Sequence, residues 1–407
     1  MARIPASSIW LIASGCLLLM LSFGLRSSFG LFVQPIGDAN EWGRDVLSLA
    51  LAIQNLSWGV IAVLAGGLAD RFGTTKVLVT GAALYAIGIW LTASVADIWA
   101  LNSGMGLLIG AGVAGTSFGI VLPAMARVAA PSQRQLVLGI GTAAGSAGQF
   151  LLVPIIGQLV EAFGWSSALQ IMSLSALLMA VLAMPLARPR VYTTDEDPVK
   201  PSQPEESFPQ VVNIARRHLP YWLLTLGFFV CGFHVAFITV HLPPFLTEAG
   251  FSSTIAAWSI SLIGLFNIFG SLMSGVLSGR FGLRNVLIAI YGARAVLITL
   301  FLVLPLTQAS IIAFSCVMGL LWLATVPPTT GLVAVMFGTR YMATLYGVVF
   351  LGHQVGSFSG VWLGGVLYEM TGNYNSLWWM SVALSLIAMA LHWPISEARA
   401  GLKEKTA

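Results

Sequence analysis

The stretch GGLADRFGTTK, residues 66–76, decides the fold, because a second version of it, GVLSGRFGLR, occupies residues 275–284. Each copy separates two long apolar segments at the same place in its half of the chain. Such a repeat predicts a duplicated membrane protein with one short turn at the same position in each half. Duplicated helical bundles of this kind are typical of secondary transporters.

The composition also indicates a membrane protein. Of the 407 residues, 57% are hydrophobic and only 8% are charged, whereas a soluble domain carries about 25% charged residues. The apolar residues fall in runs of about 18 or more, the length that crosses a lipid bilayer. Because the charge is so sparse, the net charge of +4 does not indicate a nucleic-acid partner. The first apolar run is too long for a signal-peptide core and predicts a retained helix.

The apolar runs predict an all-α membrane protein of twelve transmembrane helices in two pseudo-symmetric six-helix bundles. The polar stretch 188–218, rich in Pro, Ser and acidic residues, predicts a flexible linker between the bundles, which then comprise residues 1–187 and 219–407. The predicted spans are 9–34, 46–68, 77–96, 100–126, 136–163, 166–187, 219–246, 256–278, 286–304, 309–335, 345–370 and 376–394.

The basic residues predict the orientation. If the N-terminus is cytoplasmic, sixteen of the 19 Lys and Arg residues fall in cytoplasmic segments, as the positive-inside rule requires. Arg44 is then outside, and Arg26 and Arg294 lie within the membrane. We therefore expect both termini in the cytoplasm and a location in a bacterial-type inner membrane.

The repeat also includes a row of glycines. Glycines of the fifth span recur at a constant offset in the eleventh, which predicts equivalent helix faces where another backbone comes close. Two halves with equivalent faces suggest rocking of one half against the other, and alternating access follows. The repeated residues are Gly139, Gly148, Gly157, Glu161 and Gly164, which match Gly347, Gly356, Gly365, Glu369 and Gly372.

Residues 66–76 resemble the loop signature of the major facilitator superfamily, Gly-x-Leu-x-Asp-Arg-x-Gly-x-x-Lys/Arg. The resemblance implies the twelve-helix major facilitator fold and a monomer. It also implies a conformational latch, in which the Asp and Arg of the loop pair with charges on a neighbouring helix. The residues carrying this expectation are Gly66, Asp70, Arg71, Gly73 and, in the second copy, Arg280. The second copy has Gly279 in place of Asp70, so we expect its latch to be weaker.

The stretches RQLVLGIGTAAGSAG (134–148) and RSSFGLF (26–32) resemble the monocarboxylate and oxalate/formate porter group. The drug-antiporter alternative expects Gly-Pro-x-x-Gly-Gly in the fifth span, but Gln149 follows Gly148 here. That group also expects an arginine in the fourth span, where this chain has none before Gly110. Relatives in the porter group place an acid or Asn, then an Arg, in the eighth helix. This chain has Asn267 at the first of those positions but Ser271 in place of the arginine. Either another helix supplies the cation that binds substrate, or the substrate differs.

Charges at membrane depth point to an anionic substrate. A charge at the bilayer centre costs at least about 2.5 kcal/mol, and Arg26 offers a forked donor that suits a carboxylate. Arg294 is a possible second cation, although a structural role is equally open. All 15 acidic residues fall in loops or at helix ends, so no acid neutralises these arginines at depth and the substrate could supply the counter-charge.

Other polar residues within the spans could complete a binding site. His234 and His353 are candidate proton carriers, as is the substrate carboxylate itself, and each amide supplies a donor and an acceptor. Interhelical hydrogen bonding is an equally good explanation for each amide, and the aromatic residues Phe23, Phe29, Phe233 and Phe237 could form apolar walls or face lipid. The predicted substrate-binding residues are Arg26, Asn55, Gln149, His234, Asn267, His353 and Gln354.

The sequence thus predicts a secondary transporter of small organic anions, above all monocarboxylates, coupled to protons or to a counter-anion. Efflux of drugs or amphiphiles by proton antiport is the alternative. An enzyme is not expected, because no His-x-x-x-His, paired buried acids or cysteine cluster occurs,. For the same reason we expect no metal or cofactor. The remaining partner is the lipid bilayer.

Overall fold

The computed structural model describes residues 6–94, 97–129, 133–187, 208–338 and 341–400. Within these ranges the chain is helical, with no strand. The helices of the N-terminal half are Ala6–Ser27, Val33–Asn40, Arg44–Phe72, Thr74–Ala93, Ile98–Leu101, Ile109–Thr116, Phe118–Arg127 and Arg134–Leu182. Those of the C-terminal half are Phe208–Arg217, Leu219–Glu248, Ser253–Phe281, Leu283–Val303, Gln308–Leu321, Val326–Phe337, Met342–Thr371 and Asn375–His392.

Ten helical stretches among the described residues are long and apolar enough to cross a membrane. One of them, Leu136–Leu186, is 51 residues long and turns at Gly164, where φ is 79° and ψ is 165°. It therefore comprises the fifth and sixth spans, and the turn lies between their predicted ends. The 30-residue helix Met342–Thr371 is the eleventh span. The architecture is consistent with the predicted twelve spans, whose ordinal names we keep.

The two copies of the repeated stretch form the same turn. The second span ends at Phe72 and the third begins at Thr74, and Gly73 between them has φ 95° and ψ 141°. Gly282 joins the eighth and ninth spans with φ 87° and ψ 150°. A side chain would be strained at such angles, so the glycine is required in both copies. We call the end of the molecule that carries these turns the signature end.

Several spans are interrupted. A short 3-10 turn, Phe29–Phe32, joins the two helical parts of the first span, and a π-helical segment, Asn102–Leu108, lies in the fourth. The tenth span is broken between Leu321 and Val326, just before two consecutive prolines that cannot donate backbone hydrogen bonds. Non-helical backbone at membrane depth is tolerated only where protein or a water-filled cavity satisfies it.

The predicted linker differs from the structure at its C-terminal end. Residues 208–217 form the helix Phe208–Arg217, which the prediction treated as flexible chain. Val211 and Ala215 of this helix are buried in the hydrophobic core of the C-terminal half. Their spacing of four residues places both on one helix face, so the segment docks on the bundle. The preceding residues, 188–207, lie outside the described ranges.

Each half has its own hydrophobic core, and two pairs of helices make the most extensive contacts across the halves. The second span packs on the eleventh, and the fifth packs on the eighth. Two of the repeated glycines, Gly157 and Gly365, lie in these contacts, whereas Gly148 and Gly356 pack within their own halves on the first and seventh spans. A Cβ atom added to Gly157 would lie 3.1 Å from Cβ of Ala257, and one added to Gly365 would lie 2.6 Å from Cβ of Ser48. The two contacts are equivalent under the internal repeat.

The glycines also show that the halves meet at one end only. A Cβ atom added to Gly139 or Gly347, near the signature end of the fifth or eleventh span, has nothing within 4 Å. The same holds for Gly66 and Gly275 at the signature ends of the second and eighth spans. Since Gly157 and Gly365, nearer the other end, are in close contact with the opposite half, the halves are packed together there and separate at the signature end. We call the packed end the sealed end.

A cluster of charged and aromatic residues joins the halves at the sealed end. Arg44, at the start of the second span, forms an ion pair with Glu248, and its Nη1 donates to the Tyr374 hydroxyl at 2.7 Å. The Arg44 guanidinium lies 4.0 Å from the Tyr368 ring centroid, and the Arg44 backbone N–H donates to Glu369 at 2.7 Å. Burial raises the pKa of the Tyr374 phenol, so the hydroxyl stays protonated. These five residues form what we call the seal cluster.

The repeated acids Glu161 and Glu369 have equivalent positions in the structure. Glu369, from the eleventh span, accepts from the first N–H of the second span. Glu161, from the fifth span, accepts from the hydroxyl of Ser253 at the start of the eighth. A carboxylate near a helix N-terminus is favourable because the unpaired N–H groups carry partial positive charge. The repeated acids thus fasten the two cross-half helix pairs at the sealed end.

Candidate functional site

Arg26 and Asn55, both predicted from the sequence, lie together between the first and second spans. Nη2 of Arg26 donates to Oδ1 of Asn55 at 2.5 Å. Nδ2 of Asn55 donates in turn to the carbonyl of Leu51 at 2.9 Å, which orients Oδ1 toward the arginine. The guanidinium also lies 4.7 Å from the ring centroid of Trp58. Arg26 therefore keeps further N–H donors for another partner.

No described acid compensates the charge of Arg26. The only ion pair in the described part of the chain is that between Arg44 and Glu248 in the seal cluster. The other acids whose side chains are described lie at helix ends or in loops, and none of them is buried. A positive charge at membrane depth is costly unless it is paired, so an anionic ligand would be stabilised beside Arg26.

Two further donors, one beside Arg26 and one on the eleventh span that crosses there, are buried and unpaired. Nε1 of Trp58 and Nε2 of Gln354 have no hydrogen-bond partner among the described residues, although Trp58 is 7% exposed and Gln354 is 0% exposed. Both lie where the second span crosses the eleventh, since Gly59 packs on the Gln354 side chain. A buried donor without an acceptor costs about 1–3 kcal/mol. Unpaired donors beside a cation favour a ligand rich in acceptor oxygens.

Trp58 was not among the predicted substrate-binding residues, although its spacing from Asn55 indicates a place in the same site. It follows Asn55 by three residues on one helix, so both side chains project from the same face. The tryptophan was indistinguishable from the many aromatic residues expected to face lipid. Only the approach of Arg26 and of the eleventh span identifies it as part of the site.

His353 and Gln354 lie next to each other on the C-terminal side of this crossing. Nδ1 of His353 is 3.2 Å from Oε1 of Gln354, and the imidazole is stacked on Phe350 with a centroid separation of 5.8 Å. The His353 side chain also lies beside the thiol of Cys231. The eleventh span thus contributes one titratable side chain and one amide to its crossing with the second span.

Gln149 and Asn267 connect the fifth and eighth spans rather than joining Arg26. Nε2 of Gln149 donates to the carbonyl of Ile260 at 2.9 Å. Nδ2 of Asn267 donates to the Ser146 hydroxyl at 2.9 Å, and its Oδ1 accepts from the Ser271 hydroxyl at 3.1 Å. A cavity of about 150 Å³ is lined by Asn267 and Ser271, the two positions where relatives carry an acid or Asn and an Arg.

His234 and Arg294 lie inside the C-terminal half. His234 is 0% exposed, and its Nε2 is 3.0 Å from the carbonyl of Ser381 in the twelfth span. Arg294 is also 0% exposed, and its Nη2 donates to the carbonyls of Leu321 and Trp322 at 2.7 and 2.5 Å. These carbonyls are at the break in the tenth span, so Arg294 satisfies backbone groups that the break leaves unpaired. The structure thus places both residues apart from Arg26.

The predicted latch lies at the signature end. Asp70 belongs to the helix Arg44–Phe72, but its side chain is outside the described part of the structure. The guanidinium of Arg71 lies 5.2 Å from the Phe72 ring centroid and that of Arg280 lies 5.3 Å from the Phe281 ring centroid. The pairing of Asp70 and Arg71 with a neighbouring helix therefore stays a prediction.

The second signature turn has a partner that the sequence prediction missed. The backbone N–H of Arg284 donates to Oε1 of Glu397 at 2.9 Å, and Glu397 also lies against Gly282. Glu397 follows the twelfth span, so its carboxylate accepts a hydrogen bond from an otherwise unpaired backbone N–H at the start of the ninth span. The only signal in the sequence was that Glu397 is the first acid after the last apolar run.

Comparisons with known proteins agree with this geometry. A sequence profile described as the Major Facilitator Superfamily matches residues 15–361. The uncharacterized MFS-type transporter YcxA of Bacillus subtilis is 27% identical, over 86% of this chain and 85% of its own. Monocarboxylate transporter 13 of Bos taurus is 25% identical, over 88% of this chain and 82% of its own. The crystal structure of a bacterial homologue of the human lysosomal transporter Spinster, inward-facing and unoccupied, superimposes with a TM-score of 0.75 at 15% identity, over 95% of this chain and 96% of that one.

Proposed function

Because the chain belongs to the Major Facilitator Superfamily, and is therefore a membrane transporter and not an enzyme, we propose that it carries small organic anions by alternating access. Monocarboxylates are the proposed substrates. The observation that carries this proposal is Arg26, a cation that shares a small pocket with Ala236 and Thr239 of the other half. Its described partners are an amide and an indole ring. A transported anion would be the counter-charge that no described residue supplies.

Substrate binding would use the donors around Arg26. A carboxylate can accept two parallel N–H bonds from a guanidinium, which gives orientation as well as attraction. Asn55 holds the guanidinium from one side, and the unpaired N–H groups of Trp58 and Gln354 are available to the second carboxylate oxygen. Since Trp58 belongs to the N-terminal half and Gln354 to the C-terminal half, a bound anion would draw the halves together.

Exchange for a counter-anion fits this charge arrangement, and proton symport is the other proposed mode of coupling. With a monocarboxylate bound, the net charge beside Arg26 is zero, and a neutral site crosses the apolar interior at lower cost than a charged one. In proton symport, His353 is the proposed proton carrier because it is the titratable side chain at this crossing. In exchange, a second anion would neutralise Arg26 on the return step.

The proposed orientation follows from the basic residues. With the N-terminus in the cytoplasm, the signature end is cytoplasmic, and the site would be open to the cytoplasm in this structure. Asp70 and Arg71 would then latch the signature end when the halves close there. The name of monocarboxylate transporter 13 supports the proposed substrate class.

Transport of labelled monocarboxylates into liposomes tests the proposal. We expect Arg26→Gln to lower the initial rate at least about a hundredfold, since a buried charge–carboxylate contact contributes roughly 3 kcal/mol. Arg26→Lys should retain part of the activity, because it keeps the charge but loses the forked donor. Arg216→Gln, an exposed charge change on the helix Phe208–Arg217, is the control. Equal transport by Arg26→Gln and the parent would refute the role of Arg26.

Efflux of amphiphiles is the second candidate, because several aromatic side chains pack around Trp58 beside Arg26. Such a pump would need an acidic group at membrane depth to bind and release protons. No described acid lies there. Export of cationic dyes from vesicles, with no transport of any carboxylate, would favour this candidate over the first.

A further inference from the structure

Trp58 is the centre of an aromatic cluster built by both halves of the molecule. Its ring lies 6.0 Å from Phe23 in an edge-to-face arrangement and 5.4 Å from Phe350, also edge-to-face. Phe118 stacks on Phe23 at 4.1 Å. These four rings come from the first, second, fourth and eleventh spans, and we call them the aromatic wall.

The aromatic wall lies between the halves and not on the lipid-facing surface. Phe350 packs against the hydrophobic cores of both halves, which a lipid-facing ring could not do. Phe23 and Phe118 pack on the core of the N-terminal half and are partly exposed. The wall continues to His353, which lies 5.8 Å from Phe350 and 4.8 Å from Phe228.

Arg26 and the aromatic wall form one continuous surface. The guanidinium covers one face of the Trp58 ring, while the N–H of the same indole has no partner among the described residues. A ligand whose carboxylate is held by Arg26 would therefore place the rest of its body beside Trp58, Phe23 and Phe350. The surface it meets there is apolar and consists of inclined aromatic rings, which suits an aromatic ligand in edge-to-face or offset contacts.

We propose that the preferred substrate is a monocarboxylate with an aromatic ring, of the size of an arylacetate, whose carboxylate binds Arg26 and whose ring contacts Trp58 and Phe350. This inference rests on the proposed function and restricts its substrate class from monocarboxylates in general to aromatic ones. A two- or three-carbon acid would satisfy Arg26 but leave the aromatic wall without a partner. An aromatic acid satisfies both, and it does so with groups from both halves.

Binding to detergent-solubilised protein, followed by counterflow in liposomes, tests the substrate class. The probes are acetate, lactate and phenylacetate, which share one carboxylate and differ in the body attached to it. We expect phenylacetate to bind at least about tenfold more tightly than acetate or lactate, since an aromatic contact and its buried surface together exceed one decade in affinity. Counterflow rates are taken above those of protein-free liposomes, because phenylacetic acid crosses lipid unaided.

Phe350→Leu tests the ring contact while preserving apolar bulk. We expect it to weaken phenylacetate binding about three- to tenfold, the range of one aromatic pair, and to change acetate binding less than about twofold. Phe269→Leu is the matched control, because Phe269 is 57% exposed on the eighth span and lies outside the aromatic wall.

The outcomes separate this inference from the function on which it rests. Equal affinity for all three acids, or equal weakening of all three by Phe350→Leu, would overturn the aromatic preference and leave anion transport intact. Binding of none of the acids would overturn both. Tight binding of neutral or cationic aromatic compounds, with no dependence on Arg26, would also overturn both and favour amphiphile efflux.

Discussion

Replacing Arg44 by glutamine is expected to open the sealed end about tenfold more often. The substitution removes the ion pair with Glu248 and the ring contact with Tyr368, and it weakens the bond to Tyr374. The Arg44 side chain is 13% exposed and that of Glu248 is 31% exposed, so solvent screens the pair only in part. Together these interactions contribute about 1–2 kcal/mol, and 1.4 kcal/mol changes an equilibrium constant about tenfold.

A cysteine at position 239 reports this opening. Thr239 is 7% exposed and lies near the sealed end, where its carbonyl contacts Gly30. We expect Thr239→Cys to react slowly with a membrane-impermeant maleimide applied to the sealed side, and about tenfold faster when combined with Arg44→Gln. Arg284→Gln, an equal loss of charge at the signature end, is the control and should leave the rate unchanged.

A double substitution separates the ion pair from other effects of losing Arg44. Glu248→Gln alone should also accelerate labelling, and adding it to Arg44→Gln should have little further effect because both remove the same interaction. Labelling at the parent rate in Arg44→Gln would show that the seal cluster does not hold the halves together. Fully additive effects would show that the two residues act separately.

Gly365→Val is expected to change the conformation, and Gly347→Val is expected to leave it unchanged, although both positions lie on the eleventh span. A Cβ at Gly365 would lie 2.6 Å from Cβ of Ser48 and 2.8 Å from Cα of Asp45, whereas one at Gly347 meets nothing within 4 Å. Overpacking of this kind costs about 1–3 kcal/mol. Gly365→Val should therefore separate the sealed end, and Gly347→Val should be accommodated in this structure.

Alternating access requires the open end to close in turn, and Gly347 would then approach the second span as Gly365 does here. Both valine variants should lower transport at least about tenfold. Labelling of Thr239→Cys should accelerate in Gly365→Val and stay slow in Gly347→Val. Gly157→Val and Gly139→Val form a second matched pair on the fifth span. If both members of a pair change the labelling rate in the same direction, the assignment of packed and open ends is wrong.

The fold was predictable because its signals are local. Apolar runs of membrane-spanning length and two equivalent turns depend only on nearby residues, and the glycine at each predicted turn has a positive φ in the structure. Interruptions were harder to predict. The π-helical segment Asn102–Leu108 has no proline, and it persists because neighbouring helices pack against it. The helix Phe208–Arg217 was missed because its apolar face is short and is followed by charges.

The site was only partly predictable, because its contacts join distant parts of the chain. Arg26 and Asn55 were identified as polar residues at membrane depth, and their pairing appears only when the first two spans are placed side by side. The partners in the seal cluster are Arg44 and Glu248, from different halves, and nothing in the local sequence of either residue indicates the other. The repeat marked Glu161 and Glu369 as equivalent, but their role at helix starts depends on how the halves pack.

The unpaired charge of Arg26 has a consequence for the membrane voltage. Without an anion the moving site carries a positive charge, and a charge crossing the full field gains or loses about 2.3 kcal/mol per 100 mV. In a cell with a negative interior, the empty carrier would rest facing the cytoplasm, and its return would be the slow step of net uptake. Exchange of one anion for another would avoid that step. Collapsing the voltage should therefore accelerate net uptake and leave exchange unchanged, and equal responses of the two rates would show that Arg26 is neutralised within the protein.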